Sequence, residues 1–192
     1  MVTIETYEKK AHILELLKIV QINRGSGYKS VKELEETLRR HTVFVARYDG
    51  EIAGFVAFRM CPLEEAILVE EAVNHFEKRL TFAVGGHLVG SITLLVVDRE
   101  FQKKKVGSKL IQKVVEKLNG KVSAVFLQSW NNPTNPAVEP LMKSQGFEPW
   151  KVYENFYRKH KVGIASQCPV CPGICQCSMT VFYRLLGNKC DE

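Results

Sequence analysis

The chain has 192 residues, of which 45% are apolar, 25% charged and 9% aromatic. That length and apolar content suit one domain able to bury its own core, and they exclude a mainly disordered chain. The net charge of +6, from 27 Lys and Arg against 21 Asp and Glu, suits an anionic ligand and is too mild to argue for nucleic acid.

In chain order, Ala11, Ile13, Leu14, Leu17, Ile19 and Val20 predict an amphipathic helix over residues 9–22, broken at Gly25-Ser26-Gly27. Ser30 and Glu33 have capping-box spacing and open a second helix to about Arg40. Thr42–Tyr48 and Glu51–Arg59 read as strands around Asp49-Gly50, a hairpin signal. A third helix is predicted over 63–79. The stretch Leu80–Val97 lacks Asp, Glu, Lys and Arg for 18 residues, but its paired glycines and β-branched run read as a turn entering a buried strand, His87–Val97, not as a membrane span. A helix from Lys105 to Leu118, a strand Ser123–Ser129, a polar turn Asn131–Pro136, and a short helix to Gln145 ended by Gly146 follow. Then come a strand Phe147–Tyr157, a Cys-rich loop and a last strand, Thr180–Leu186. The pattern predicts a mixed α/β chain with one central sheet flanked by helices and a Cys-rich loop inserted before the last strand. No signal-peptide core is seen at the N-terminus, so the expectation is a cytoplasmic protein without a membrane partner.

The segment Leu94–Ile111 carries the chemistry. An apolar strand enters a basic turn and then a helix whose apolar face is Val106, Leu110, Ile111, Val114, Val115 and Leu118. Gln102–Ser108 therefore sits at a helix N-terminus, where unbonded N–H groups and the positive dipole end favour an anion. Lys103, Lys104 and Lys105 add charge, and Gly107 lets a phosphate approach. The segment is neither a Walker loop nor a dinucleotide fingerprint, and a solvated lysine run is its plain alternative.

Gln102-Lys-Lys-Lys-Val-Gly107 resembles the Gln/Arg-x-x-Gly-x-Gly/Ala signature of the GNAT superfamily of acyl-CoA-dependent N-acetyltransferases. A second landmark, Asn135-Pro-Ala137 followed by Leu141–Phe147, resembles the family's Asn-x-x-Ala … Leu-Tyr-x-x-x-Gly-Phe segment. The resemblance implies a single N-acetyltransferase domain over 1–192, with a helical insertion at 62–86 and the Cys-rich insertion at 159–178. It implies acetyl-CoA as co-substrate and an amine acceptor as partner, with nucleic acid not expected and a homodimer left open. Gln102, Lys103, Lys104, Lys105, Val106, Gly107 and Ser108 would hold the pyrophosphate. Leu95, Val96 and Val97 would line the pantetheine arm, the N–H near Val96 would polarise the thioester, and Asn135 would close the far side.

The chain departs from the family pattern in two places. Lys105 replaces the first motif glycine, which the turn tolerates where Lys105 keeps a negative φ. Met142 stands where many members have the Tyr that protonates the leaving thiolate; Tyr153, Tyr157 or a water are the substitutes. The strand face His87, Val89, Ser91, Thr93, Leu95 holds no carboxylate, so His87 is the favoured general base, with Glu70 and Glu71 as alternatives. These gaps keep a second reading open, an acyl-CoA sensor or metal-supported interaction module without efficient turnover.

Five of the six cysteines lie in the last 25 residues. Cys168, Cys171, Cys175 and Cys177 suffice for a tetrahedral, structural zinc site, favoured over iron–sulfur because the spacing is not that of a ferredoxin. Disulfides, redox-active thiols and free cysteines stay open, and Cys190 is able to replace one of the four, most readily Cys177. Cys61 reads as a small buried apolar residue.

Overall fold

A computed structural model describes residues 1–24, 29–80, 88–131, 138–160, 168, 171 and 174–186. Fourteen elements follow in order: β1 (Val2–Thr6), α1 (Lys9–Arg24), α2 (Val31–Arg39), β2 (Thr42–Tyr48), β3 (Glu51–Pro62), α3 (Leu63–Ala66), α4 (Glu70–Glu77), β4 (Leu88–Val97), α5 (Val106–Leu118), β5 (Ala124–Asn131), α6 (Val138–Ser144), β6 (Glu148–Tyr153), α7 (Phe156–His160) and β7 (Ser178–Leu185). The strands form one sheet in the order β1-β2-β3-β4-β5-β7-β6. Every neighbouring pair is antiparallel except β4 with β5.

Local sequence explains most of these elements. The Ser30–Glu33 capping box is complete: the Glu33 N–H donates to Ser30 Oγ, and the Ser30 N–H donates to the Glu33 carboxylate at 2.7 Å. Asp49 and Gly50 both take positive φ, 50° and 93°, the type I′ hairpin turn that Asp-Gly favours. Strand β1 is not legible as a separate element in the sequence. It is an edge strand of five residues whose Val2 and Ile4 reach the core only once β2 is beside it. The run 63–79 is two short helices, because Ile67–Val69 is extended between them. The strand predicted to reach Tyr157 ends at Tyr153, where Asn155 turns through φ 54° into α7.

Alternation along the strands divides the core by sheet face. One face carries α5, whose Val106, Leu110, Ile111, Val114 and Leu118 pack on Val56, Phe58, Ile92, Val125, Leu127 and Phe182. The other face carries two separate clusters. One joins α1 and α2 to β2, β3 and the β4 residues Leu94 and Val96. The second joins α3, α4, α7 and the Cys segment to β5 and β7. No helix among the described residues is long and apolar enough to cross a membrane.

Candidate active site

Strands β4 and β5 begin as a parallel pair and then part. Their pairing runs only from Gly90↔Val125 to Ile92↔Leu127. On its other side β4 stays paired with β3 as far as Val97↔Gly54, and β5 stays paired with β7 as far as Asn131↔Ser178. The divergence starts at a bulge. The register steps from Phe58↔Ile92 to Ala57↔Leu94, so Thr93 is the extra residue, and an inserted residue bends its strand. Past the bulge, β4 lies very close to β3 at Gly54. A Cβ there would lie 2.6 Å from the Val96 carbonyl oxygen, so only glycine lets β3 approach so closely.

A cavity of about 300 Å³ fills the gap. Leu95, Val96 and Val97 form one wall, Ser129 and Trp130 of β5 the other, and Val138 and Leu141 of α6 close the side. Its end is the turn before α5, where Gln102, Lys103, Lys105, Val106, Gly107 and Ser108 meet the cavity. No side chain caps α5, so its first-turn N–H groups keep their donor capacity and the dipole end faces the opening. The walls are apolar and the end is cationic and rich in donors.

The turn holds an unexpected backbone. Lys105 has φ 64° and ψ 11°, and Lys103 has φ 61°, both left-handed. The expectation of a negative φ at Lys105 is therefore corrected: the lysine takes the conformation that glycine holds without strain. The reason is geometric, since the chain must reverse from the 3₁₀ turn Arg99–Phe101 into α5 within four residues. Lys104 does not line the cavity. Its ammonium lies over the Tyr48 and Phe101 rings, 4.9 and 5.0 Å from their centroids. Asn23 of α1, absent from the expected site, does line it, and the Gln102 amide reaches Asn23 Oδ1 and the Val97 carbonyl at 3.4 Å each.

Of the acid–base candidates, His87 lies outside the described residues, as does Asn135. Met142 is completely buried beneath α5. Glu71 is exposed and pairs with Lys151 at 2.7 Å, away from the cavity lining. Tyr153 packs on Trp150, and burial followed by the nearby Glu71 carboxylate pushes its pKa up to about 12. Among the described lining residues the only groups that carry a formal charge are Lys103 and Lys105.

One titratable group touches β4 at the bulge itself. His41 Nδ1 lies 2.5 Å from the Thr37 carbonyl and Nε2 lies 2.9 Å from Thr93 Oγ1. A carbonyl only accepts, so Nδ1 carries the proton, and Nε2 accepts from the threonine hydroxyl when the ring is neutral. Burial, then Arg59, Arg40 and Lys29, hold the His41 pKa below the ordinary histidine value, against the opposing Thr37 hydrogen bond. The separation of 52 positions between His41 and Thr93 hides this contact from sequence reading.

The four clustered cysteines converge. Their sulfurs all lie within 4.8 Å of one another, with Cys177 Sγ 3.7 Å from Cys168 and 3.5 Å from Cys171. None is disulfide-bonded. Cys175 and Cys177 are buried against Met179, Phe156 and Trp130. Burial pushes both thiols up. Cys61 is buried at the end of β3, as expected, and Cys190 lies outside the described residues.

The sequence from 15 to 147 matches the model of the Acetyltransferase (GNAT) family. The chain belongs to the GNAT family. No curated protein matches it, but solved structures do. The ribosomal-protein-S18-alanine N-acetyltransferase from Escherichia coli is 16% identical over 100% of this chain and 98% of its own, with a TM-score of 0.64. Arabidopsis thaliana NAA60, solved with a bisubstrate analogue, is 17% identical over 96% and 98%, with a TM-score of 0.70. A GNAT acetyltransferase from Elizabethkingia anophelis, solved with acetyl-CoA bound, is 17% identical over 96% and 98%, with a TM-score of 0.61. The family makes the protein an acetyltransferase of GNAT type, and the solved structures share its fold.

Proposed function

We propose that this GNAT protein moves an acetyl group from acetyl-CoA to a primary amine by direct attack in a ternary complex. The observation that carries the reading is the β4/β5 gap, apolar along its walls and ending on the uncapped N-terminus of α5 beside Lys103 and Lys105. A pantetheine arm suits those walls, and a pyrophosphate suits that end. Beyond Ile92 the edge of β4 facing β5 has no strand partner among the described residues, so its amides are available to a β-like pairing with the arm.

In the proposed reaction the amine nitrogen attacks the thioester carbonyl carbon. The C–N bond forms, the C–S bond breaks, CoA leaves as the thiolate, and the second proton of the attacking nitrogen passes to that thiolate or to solvent, giving the neutral amide. A backbone N–H near Val96 stabilises the oxyanion. The ammonium proton must leave first, and two histidines are offered for this step in the proposal: His87, on the segment leading into β4, and His41, which stands outside the cavity lining and would act through the Thr93 hydroxyl that its Nε2 meets. With Met142 buried, no tyrosine among the described residues lines the cavity, and the thiolate departs without a side-chain acid. Positioning of amine and thioester then supplies much of the rate.

Calorimetry with CoA and thiol release over a panel of amines test the reading. Tight CoA binding with no thiol release on any amine would replace the transferase with an acyl-CoA sensor. Gly107→Glu should abolish CoA binding. Because a Cβ at Gly107 would already press on Leu141 Cδ2 at 3.0 Å, the variant is checked for an intact fold by circular dichroism. Normal CoA affinity in a folded Gly107→Glu protein contradicts the cradle.

A further inference from the structure

We infer that Cys168, Cys171, Cys175 and Cys177 hold one zinc ion in a closed four-thiolate site, and that this site clamps the segment before β7 onto Trp130 of the cavity wall. A tetrahedral zinc with Zn–S bonds of about 2.3 Å has sulfurs about 3.8 Å apart along each edge. The sulfur separations here, 3.5 and 3.7 Å with none above 4.8 Å, already have that scale. They are far too long for disulfides, whose sulfurs lie about 2.05 Å apart. Among the described residues no carboxylate or imidazole belongs to the group. Four soft sulfur donors and no hard ones select zinc or iron over calcium and magnesium. So small a tetrahedron encloses a single ion.

The surroundings also fit a metal centre. The Gln176 N–H donates to Cys171 Sγ at 3.4 Å, the kind of backbone donor that offsets negative charge on a zinc-bound thiolate. Cys175 and Cys177 are 2% and 0% exposed inside an apolar cluster. A redox-active pair needs an electropositive, thiolate-favouring setting, which this apolar pocket is not. Four protein ligands leave no open position, so the ion does structural work only.

That work has a direction. Cys177 is followed by β7, which pairs with β5 from Asn131↔Ser178 to Ala124↔Leu185. Trp130, on β5, lines the cavity and is buried in the same apolar cluster as Cys175 and Cys177. The zinc site therefore sets how far the Trp130 wall stands from β4. This second part rests on the acetyl-CoA reading of the cavity, whereas the metal site does not.

Metal analysis of the full chain, purified reduced and without chelator, is expected to give one zinc per chain. Replacement by Co(II) should produce the intense visible bands of a tetrahedral thiolate site. Cys171→Ser should lose the metal, and Cys190→Ser should keep it. In a Trp150→Phe background Trp130 is the sole tryptophan, and stripping the zinc should change its fluorescence and weaken CoA binding several-fold. If Cys171→Ser does not fold, the chelation series on the unsubstituted cysteines reads the same quantities. Metal-free protein that forms no cobalt bands overturns the site, as does an iron-containing chromophore. Loss of metal in Cys190→Ser overturns the ligand set. One zinc per chain with unchanged Trp130 emission and CoA affinity on its removal overturns the clamp while leaving the metal site standing.

Discussion

Lys105 gives the sharpest test of the anion turn, because its backbone and its charge are separable. At φ 64° and ψ 11° its Cβ crowds its own backbone, which costs a non-glycine residue about 1–2 kcal/mol. Lys105→Gly removes that cost and adds about 0.4–1 kcal/mol of unfolded-chain entropy to be lost on folding. The net is a stabilisation of roughly 0.5–1 kcal/mol, or about 1–4 °C in Tm for a chain of this size. Lys105→Ala keeps the Cβ and should change stability by less than about 0.5 kcal/mol. Both variants lose the same exposed ammonium, worth about 0.5–1 kcal/mol toward a phosphate in water, so both should weaken CoA binding about two- to fivefold. Thermal melts and calorimetry with CoA read the two effects in the same samples. A glycine variant no more stable than the alanine variant refutes the strained backbone. An affinity unchanged in both refutes the placement of Lys105 at the pyrophosphate.

Two further outcomes follow from contacts on β4. Gly54→Ala places a Cβ 2.6 Å from the Val96 carbonyl oxygen and 3.0 Å from Val97 Cα, so β3 and β4 must separate. Overpacking of this kind costs about 1–3 kcal/mol; Tm should fall and CoA affinity with it, and a variant that matches the parent in both contradicts the close approach of β3 and β4 at Gly54. His41 has a folded pKa below its unfolded value, so the unfolded chain binds the proton first, and the stability His41 contributes falls as pH drops below about 6.5. His41→Gln should therefore flatten the acid limb of Tm against pH, and should also lower kcat if His41 takes the amine proton; parallel acid limbs in the two proteins refute the depressed pKa.

Periodicity, capping and turn chemistry are local, so they were readable along the chain: the Ser30–Glu33 box, the Asp49-Gly50 hairpin and the apolar stripe of α5 all appear as expected. The resemblance at Gln102–Gly107 and Leu141–Phe147 placed the family, and the convergence of four cysteines within ten residues needs only a short loop. Contacts between distant segments were not readable. β1 is too short to stand out before β2 pairs with it. Nothing in the sequence says that Thr93 is the residue that bulges, that Gly54 lets β3 approach Val96 and Val97, or that His41 meets Thr93. The left-handed Lys105 is a further case. Its φ is imposed by the ends of β4 and α5, which the core holds at a fixed separation. The sequence by itself determined most of the helices and strands and the basic turn that opens α5, because those depend on neighbours within a few residues. Only the tertiary structure decided where β4 leaves β5 and what faces the gap, because sheet register and face are settled by packing between segments far apart in the chain.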